Sequence, residues 1–568
     1  MTARRRTLLG LLGVLVLLGL YVAVSGALAA RDLTRADQAV RQLRAQVTAG
    51  EPAQAEASLQ RAQGSTSAAR RWLSGPVWAG AQHLPAAGPS VRLLRSLTAV
   101  AQQSSQRELA ALVRQAAALD PDRLRRPDGS IDLALLRAAA VPLETALQDV
   151  RRREQQVRAL PTSGAAGRLV TARTAVADQL RRSIGPLDTA VRVAKIGPGM
   201  LGADGPRSYL MIVQNLAELR GTGGNVGAFA VLSAKDGDLT VVRTGKNTEL
   251  AAASAFPDFG PDYRRLYGRP ADLLHANVSP HFPYTGRLWA DYFQRDMGQR
   301  VDGVVAIDSV LLSNLMRVSG PVTLADGRVV SADNVVDFTL RKVYADFAGT
   351  DPTQAARKDF LQEIARAVID DLSGGDPAAG ALASALGRSA GEHHLQLWSA
   401  RADEQQVLAP TPLAATLGTG QAAVVLDDLG GSKLDYYLHT EVNYAVSCAP
   451  RRTTVTVTLT NRAPAKGLPP YVVIRSDVPP SSFPVGQSRS RLSLYLPGDP
   501  VVTTATLDGR PVALKRDREL GHAALTTRLA LDPGQTRTLV LAATGTAPLA
   551  VLRQPRLNDR TTVARSGC

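Results

Sequence analysis

Ser208 to Val242 reads SYLMIVQNLAELRGTGGNVGAFAVLSAKDGDLTVV, and the parsing of this stretch decides the fold. Tyr209–Val213 is an apolar run held between Pro206 and Asn215, which predicts a buried strand. Ala228–Ser233 and Leu239–Val242 flank an Asp236-Gly237 pair, the signature of a tight hairpin. Between the first two strands stand Gln214, Asn215, Glu218, Arg220, Thr222, Gly223, Gly224 and Asn225, which predict a polar, glycine-rich turn. A strand end followed by such a turn is where sheets commonly present their binding groups.

Outward from this hairpin the pattern stays mixed. Thr244–Pro283 is long, irregular and rich in Pro, Asp and Asn, as functional loops are. Leu288–Asp296 predicts a helix, Val301–Ile307 a strand, Ser309–Val318 a returning helix, and Val322–Val330 a second hairpin at Asp326-Gly327. Ser331 is placed to cap a helix running to Phe347, and Thr353–Leu372 predicts another. Alternating strands and helices imply an α/β sandwich of two or three layers over residues 201–430.

After about residue 431 the chain turns all-β. Thr454–Thr460 alternates strictly, with Val455, Val457 and Leu459 on one face. Tyr471–Arg475, Arg491–Leu496, Val501–Leu507, Ala524–Leu531 and Arg537–Ala543 are further predicted strands, spaced as in an immunoglobulin-like β-sandwich over residues 431–568. The only two cysteines are Cys448 and Cys568. In an extracytoplasmic chain they predict a disulfide, against the alternative of two unpaired thiols.

Residues 31–200 are rich in Ala, Leu, Gln and Arg with apolar positions three and four apart, such as Leu109, Leu112, Val113 and Ala116. Breaks at Gly50–Pro52, Ser74–Pro76, near Pro121 and Pro127, and at Pro161–Gly164 divide this region into helices that fold back as a bundle or stalk. Trp72 and Trp78 lie beside one break and suit either a packed helix corner or the membrane interface. Arg151–Arg153 reads as a solvated helix face, with a polyanion contact as the other reading.

At the start of the chain, Thr7–Ala30 is 24 residues without a charge, preceded by Arg4, Arg5 and Arg6. Such a stretch is long enough to span a bilayer, and the arginines place residues 1–6 in the cytoplasm as a basic tail. A cleavable signal peptide is the competing reading, because Ala27-Leu28-Ala29 resembles a cleavage site. Either way the bulk of the chain lies outside the cytoplasm, and the retained anchor makes it a single-pass protein of the cell membrane. The expected architecture is therefore multidomain α+β: transmembrane anchor 7–30, extracytoplasmic helical bundle 31–200, central α/β domain 201–430 and C-terminal β-sandwich 431–568.

The formal charge of +16 sits at the membrane end. Residues 31–200 hold 25 Arg/Lys against 14 Asp/Glu, whereas residues 201–568 carry only +2. Anionic lipid headgroups or envelope polymers are the natural counterions. No basic run is interleaved with aromatics, which argues against nucleic acid.

The pattern Q-N-x-x-E-x-R-x-T-G-G-x-x-G over Gln214–Gly227 resembles a large family of bacterial membrane-anchored envelope proteins, domain of unknown function 4012. Asn277–Pro283, Val301–Asp308 and Ser319–Val322 fit the same family, and the likeness covers about residues 205–345. It implies a place, the cell envelope, more than a chemistry. The anchor, the α/β region and the late strand, helix and Ser-Gly-Pro-Val run are also distantly similar to the LytR-CpsA-Psr family. Those enzymes transfer polyprenyl-pyrophosphate-linked glycopolymers to the cell wall, using arginines for the pyrophosphate and an acidic residue for magnesium. Their arginine-aspartate signature is not matched residue by residue here. No catalytic role is therefore carried over, and His281, which stands between Pro280 and Phe282 where an aspartate would be expected, weakens any shared metal site there.

The seven histidines form no metal-binding spacing, and neither a Gly-x-Ser-x-Gly elbow nor a phosphate loop is present. The candidate ligand-binding residues are Asn215, Glu218, Arg220, Thr222, Gly223, Gly224, Asn277, Ser279 and His281. Arg220 offers a planar fork for phosphate or carboxylate, and Gly221, Gly223 and Gly224 would let backbone N–H groups approach an anion. The competing reading makes Glu218 and Arg220 an internal pair, with the glycines shaping the turn. Two functions follow. One is a non-catalytic envelope protein, without cofactor, that binds or organises a surface polysaccharide or its assembly and export proteins. The other is a phosphotransferase-like enzyme acting on a lipid-linked glycan, with a divalent cation such as magnesium.

Overall fold

The computed structural model describes residues 3–48, 51–107, 109–110, 113, 124–250, 257–268, 275–347, 351–374, 379–473 and 484–568. The break expected near Pro121 lies outside these residues. The chain divides into two compact units, residues 1–199 with 379–381, and residues 200–378 with 382–568. It is mixed α+β, with several sheets and one apolar N-terminal helix.

The first unit is helical. Ala3–Thr48 is one continuous helix, so the expected anchor and the start of the bundle are a single rod. By length and composition it is apolar enough to cross a membrane. Helices Pro52–Trp72, Pro76–Ala81, Gly88–Gln106, Leu133–Arg158 and Gly167–Met200 follow; the breaks before Pro52, Pro76, Leu133 and Gly167 were predicted, and the one before Gly88 was not. Asp132 caps one of them, accepting from the N–H groups of Ala134 (3.0 Å) and Leu135 (3.1 Å). Leu143, Ala146 and Leu147 pack on Leu187, Val191 and Ala194 to close the last two helices on each other. Arg151 and Arg152 are exposed and pair with Asp188 and Asp149, as a solvated face should.

The second unit begins with a five-stranded sheet. Its strands are β1 (Arg207–Arg220), β2 (Gly223–Lys235), β3 (Asp238–Lys246) and β4 (Gly303–Asp308). After β5 (Val322–Thr323) and β6 (Val329–Val330), which form the small second hairpin, comes β7 (Leu395–Ser399). The order is β3-β2-β1-β4-β7, with β1 and β4 parallel and the other pairs antiparallel. Asp236 and Gly237 take positive φ at the β2–β3 turn, as the Asp-Gly pair predicts.

β1 is buried on both faces, which explains its unbroken apolar run. Leu210 and Ile212 pack with Phe229, Trp289 and Phe293 beneath helix Phe282–Met297. Met211 and Ala230 face the other way, toward helix Ser309–Ser319 and helix Asp351–Gly374. Asp308 caps the first of these by accepting from Val310 and Leu311 N–H. Ser331 does not cap the next helix: Asn334 occupies that position without a side-chain capping bond, its Oδ1 accepting instead from Ser331 N–H, and Phe338–Lys342 inside it is π-wound.

The rest of the unit is two sheets over one core. The strands are β8 (Gln421–Asp428), β9 (Leu438–Cys448), β10 (Arg451–Asn461), β11 (Ser488–Pro497), β12 (Val501–Leu507) and β13 (Arg510–Pro511). They continue with β14 (Lys515–Glu519), β15 (His522–Leu531), β16 (Thr536–Thr544), β17 (Ala550–Arg553) and β18 (Asn558–Ser566). One sheet runs β13-β12-β16-β10-β9-β18 and the other β14-β15-β11-β8-β17. Val455, Val457 and Leu459 meet Leu492, Leu494 and Leu426 between them. Three features depart from expectation. β8, assigned by sequence to the central domain, belongs to the second sheet, and β17 and β18 pair parallel to β8 and β9. Pro470–Val473, which overlaps the start of the strand predicted over Tyr471–Arg475, is a helical turn because Pro469 and Pro470 deny the ladder its donors. Cys448 and Cys568 are bonded, with Cα atoms 5.0 Å apart.

Candidate functional site

β1 does not stop at Val213. It continues to Arg220, turns over Gly221 and Thr222, and returns as β2, with irregular pairing between Val213 and Gln214 and between Asn215 and Leu219. The predicted polar turn is therefore a bulged pair of strands, made possible because its polar groups satisfy one another inside. Gln214 Oε1 accepts from Thr222 Oγ1 and from Gly224 N–H, each at 3.2 Å. Asn277 Nδ2 donates to Gly224 O at 2.7 Å, and Thr222 N–H donates to Asn277 O at 3.2 Å. A Cβ on Gly221 or Gly224 would collide with backbone at Val278 or Asn215, so these glycines permit close chain approach.

The loop carrying Asn277 extends this lock. Ser279 Oγ donates to Glu519 Oε1 at 2.7 Å and accepts from His281 N–H at 3.1 Å. His281 Nδ1 accepts from Leu417 N–H at 3.2 Å, and burial pushes its imidazole down to about 4. Thr222, Gly223, Gly224, Asn277, Ser279 and His281 thus stand together behind the hairpin.

Asn215, Glu218 and Arg220 point elsewhere, to the wall of a cavity of about 470 Å³. This size is typical of small-molecule sites. Met211, Val213, Ala228 and Ala230 of the sheet and Leu312 and Leu361 of the covering helices give it an apolar side. The other side is densely charged. Arg220 Nη2 donates to Glu218 Oε1 at 3.0 Å, and Nη1 donates to the carbonyls of Leu219 (2.9 Å) and Asp428 (3.1 Å). Lys433 Nζ binds Glu218 Oε2 and lies 5.5 Å from the centre of the Tyr471 ring. Burial alone would lower the Lys433 ammonium, but the Glu218 carboxylate outweighs it and holds the pKa above the usual lysine value.

Asp428 accepts from Gly430 N–H through Oδ1 at 2.7 Å, whereas its buried Oδ2 meets no hydrogen-bond partner. Burial pushes this carboxyl up to about 6, against the pull of Arg220. Asp435 is pushed well up by burial too, and its Oδ2 accepts from Leu219 N–H at 2.8 Å. Arg357, from helix Asp351–Gly374, lies 4.9 Å from the Tyr344 ring centre and 5.0 Å from that of Tyr471. Asn215 Nδ2 donates to Tyr344 Oη at 2.6 Å.

Sequence reasoning reached Asn215, Glu218 and Arg220. It missed Tyr344, Arg357, Asp428, Lys433 and Tyr471, which arrive from more than 120 residues away. One signal was present: a strand ending in Asp427 and Asp428, then Gly430, Gly431 and Lys433. Among the described residues no group of three or more His, Cys, Asp or Glu is placed to hold a metal ion.

Residues 204–344 match the family described as "Protein of unknown function (DUF4012)". The DUF4012 match opens just before β1 and ends at Tyr344, whose hydroxyl accepts from Asn215 of β1. Comparison with curated proteins and with solved structures gave no match.

Proposed function

We propose that this chain is a membrane-anchored, extracytoplasmic envelope protein whose α/β domain binds an amphiphile with an anionic headgroup, the chemistry of a lipid-linked polysaccharide precursor. One observation carries this reading: a single cavity joins an apolar wall to a wall bearing Arg220, Lys433 and Arg357. Glu218 offsets part of that charge, and burial, which pushes the Asp428 carboxyl up to about 6, reduces what that second carboxyl offsets. An apolar tail would lie against Met211, Val213 and Leu312.

The test uses the full-length protein in detergent with polyprenyl phosphate as the probe. Gly227 lines the cavity, and a Cβ there would meet no atom within 4 Å. Gly227→Leu should therefore fill space without disturbing the fold, and should weaken polyprenyl phosphate binding by about tenfold or more. Equal binding by wild type and variant, or equal uptake of a lipid-free glycan, would overturn the reading.

The phosphotransferase reading is favoured by one feature, a carboxyl at Asp428 able to exchange a proton near neutral pH beside Arg220. The magnesium such a reaction would use does not fit this site, because Glu218 is already engaged by Arg220 and Lys433. Binding is therefore the function proposed.

A further inference from the structure

We infer that the uncharged turn between Leu73 and Val91 is a membrane-surface element, seated at the outer face of the bilayer beside the N-terminal helix. The inference rests on reading residues 7–30 as the membrane span. A hydrocarbon core of ~30 Å takes ~20 helical residues at ~1.5 Å each. A span entered just after Arg6 therefore leaves the hydrocarbon near residue 26, and the next charges are Arg31 and Asp32.

The side chains at that level are not bare. Ser25 is 2% and Ala29 1% exposed. The Trp78 ring stands 3.7 Å from where a Cβ on Gly26 would be, and its Nε1 donates to Ser25 Oγ at 3.1 Å. Ala29, Leu73, Trp78 and Val91 form one cluster, with Val22 packed against it. The segment that carries Trp78 must therefore lie at the depth of residues 22–29.

Helix register brings it there. Gln46 accepts from Ser58 at 2.6 Å, Gln42 from Arg61 at 3.0 Å, and Asp32 from Trp72 at 3.2 Å, so helix Pro52–Trp72 descends antiparallel to helix Ala3–Thr48. Whatever follows Trp72 is directed toward the bilayer. The sequence that follows suits that place: residues 73–91 read LSGPVWAGAQHLPAAGPSV, without one Asp, Glu, Lys or Arg. Arg70, Arg71, Arg92 and Arg95 bracket it.

At the tip, Leu84 is 54% exposed and Pro85, Ala86 and Ala87 are exposed with it. Leu17, Leu20, Tyr21 and Val24 of the N-terminal helix are exposed too. Arg92 and Arg95 both donate to Gln82, to its carbonyl and its side-chain oxygen, which covers the turn's polar groups and holds two cations at headgroup level.

The experiment places single cysteines in the full-length protein, whose own two cysteines are bonded to each other. Leu84→Cys, Leu17→Cys and Val141→Cys each carry a fluorescent bimane in vesicles of phosphatidylcholine and phosphatidylglycerol. Val141 is 72% exposed on helix Leu133–Arg158 and serves as the water-facing reference. Interfacial groups sit ~5–10 Å into the headgroup and acyl boundary, so the Leu84 label should be quenched roughly twofold by lipid bearing a nitroxide on its upper acyl chain. It should be shielded from aqueous iodide, and the Val141 label should behave in the opposite way. A Leu84 label that matches Val141 while the Leu17 label is lipid-quenched overturns the inference alone. A Leu17 label untouched by the lipid overturns the anchor, and the inference with it.

Discussion

Lys433 sets its ammonium against the carboxylate of Glu218, 215 residues earlier in the chain, with both side chains less than a tenth exposed. Arg220 holds the other oxygen of the same carboxylate at 3.0 Å. One anion thus balances two cations where β1 of the α/β sheet meets the segment leaving β8. Asp435 and Gln554 reinforce the junction: the first accepts from Leu219 N–H, and the second donates to the carbonyls of Arg220 (2.6 Å) and Leu426 (2.7 Å). β8 and the segment that leaves it therefore contribute Asp428 and Lys433 to the charged wall of the cavity.

Glu218→Gln should destabilise the fold more than Arg220→Lys does. The first leaves two buried cations facing an amide, and breaking a buried pair from one side costs about 3–5 kcal/mol. The second keeps the charge but loses the fork that reaches Leu219 O and Asp428 O, a smaller deficit. Thermal melting of the full-length variants in detergent measures both. A larger drop for Arg220→Lys would show that the carbonyl contacts, and not the ion triplet, hold the junction.

A pH dependence comes from Glu519. Burial holds its carboxyl up to about 7, although Ser279, Tyr267 and Arg491 all favour the ionised form. Between pH ~4.5 and ~7 the folded chain keeps this proton and the unfolded chain has lost it. Stability from this group is full below that window and is lost as pH rises through 7, by about 3 kcal/mol. Glu519→Gln removes the titration, so the variant should gain on wild type between pH 5 and pH 8. Parallel melting curves across that range would refute the assignment.

The parts of the structure legible in sequence were those governed by neighbours along the chain. Tyr209–Val213 announced a buried strand, Asp236 and Gly237 announced their hairpin, and Pro52 and Pro76 announced helix starts. The stretch from Gln214 to Asn225 misled because exposed turns and internally satisfied strands use the same polar residues. What separates them is the bond from Gln214 to Thr222 and Gly224, and the closure by Asn277, a residue 52 positions beyond Asn225. Asn215, Glu218 and Arg220 were recognisable as a set. Their partners Tyr344, Asp428 and Lys433 were not, because their placement depends on long-range packing that leaves no local periodicity.

Arg357 offers the sharpest separation between a structural and a ligand-binding role. Its guanidinium lies within 5.0 Å of the centres of two tyrosine rings, Tyr344 and Tyr471, on the wall of the cavity. Cation–π contacts of this kind contribute about 0.5–2 kcal/mol each, and an ammonium keeps part of that attraction. Arg357→Lys should therefore lower the melting temperature only slightly. A planar fork binds two phosphate oxygens at once and a lysine does not, so the same variant should weaken polyprenyl phosphate binding by about tenfold. Arg357→Met keeps the apolar stem and removes the charge, and should abolish the preference for a phosphate over a free alcohol headgroup. If Arg357 only braces the two rings, the outcome differs in kind. Both variants then lose stability in proportion to the contact removed, and the headgroup preference stays that of wild type.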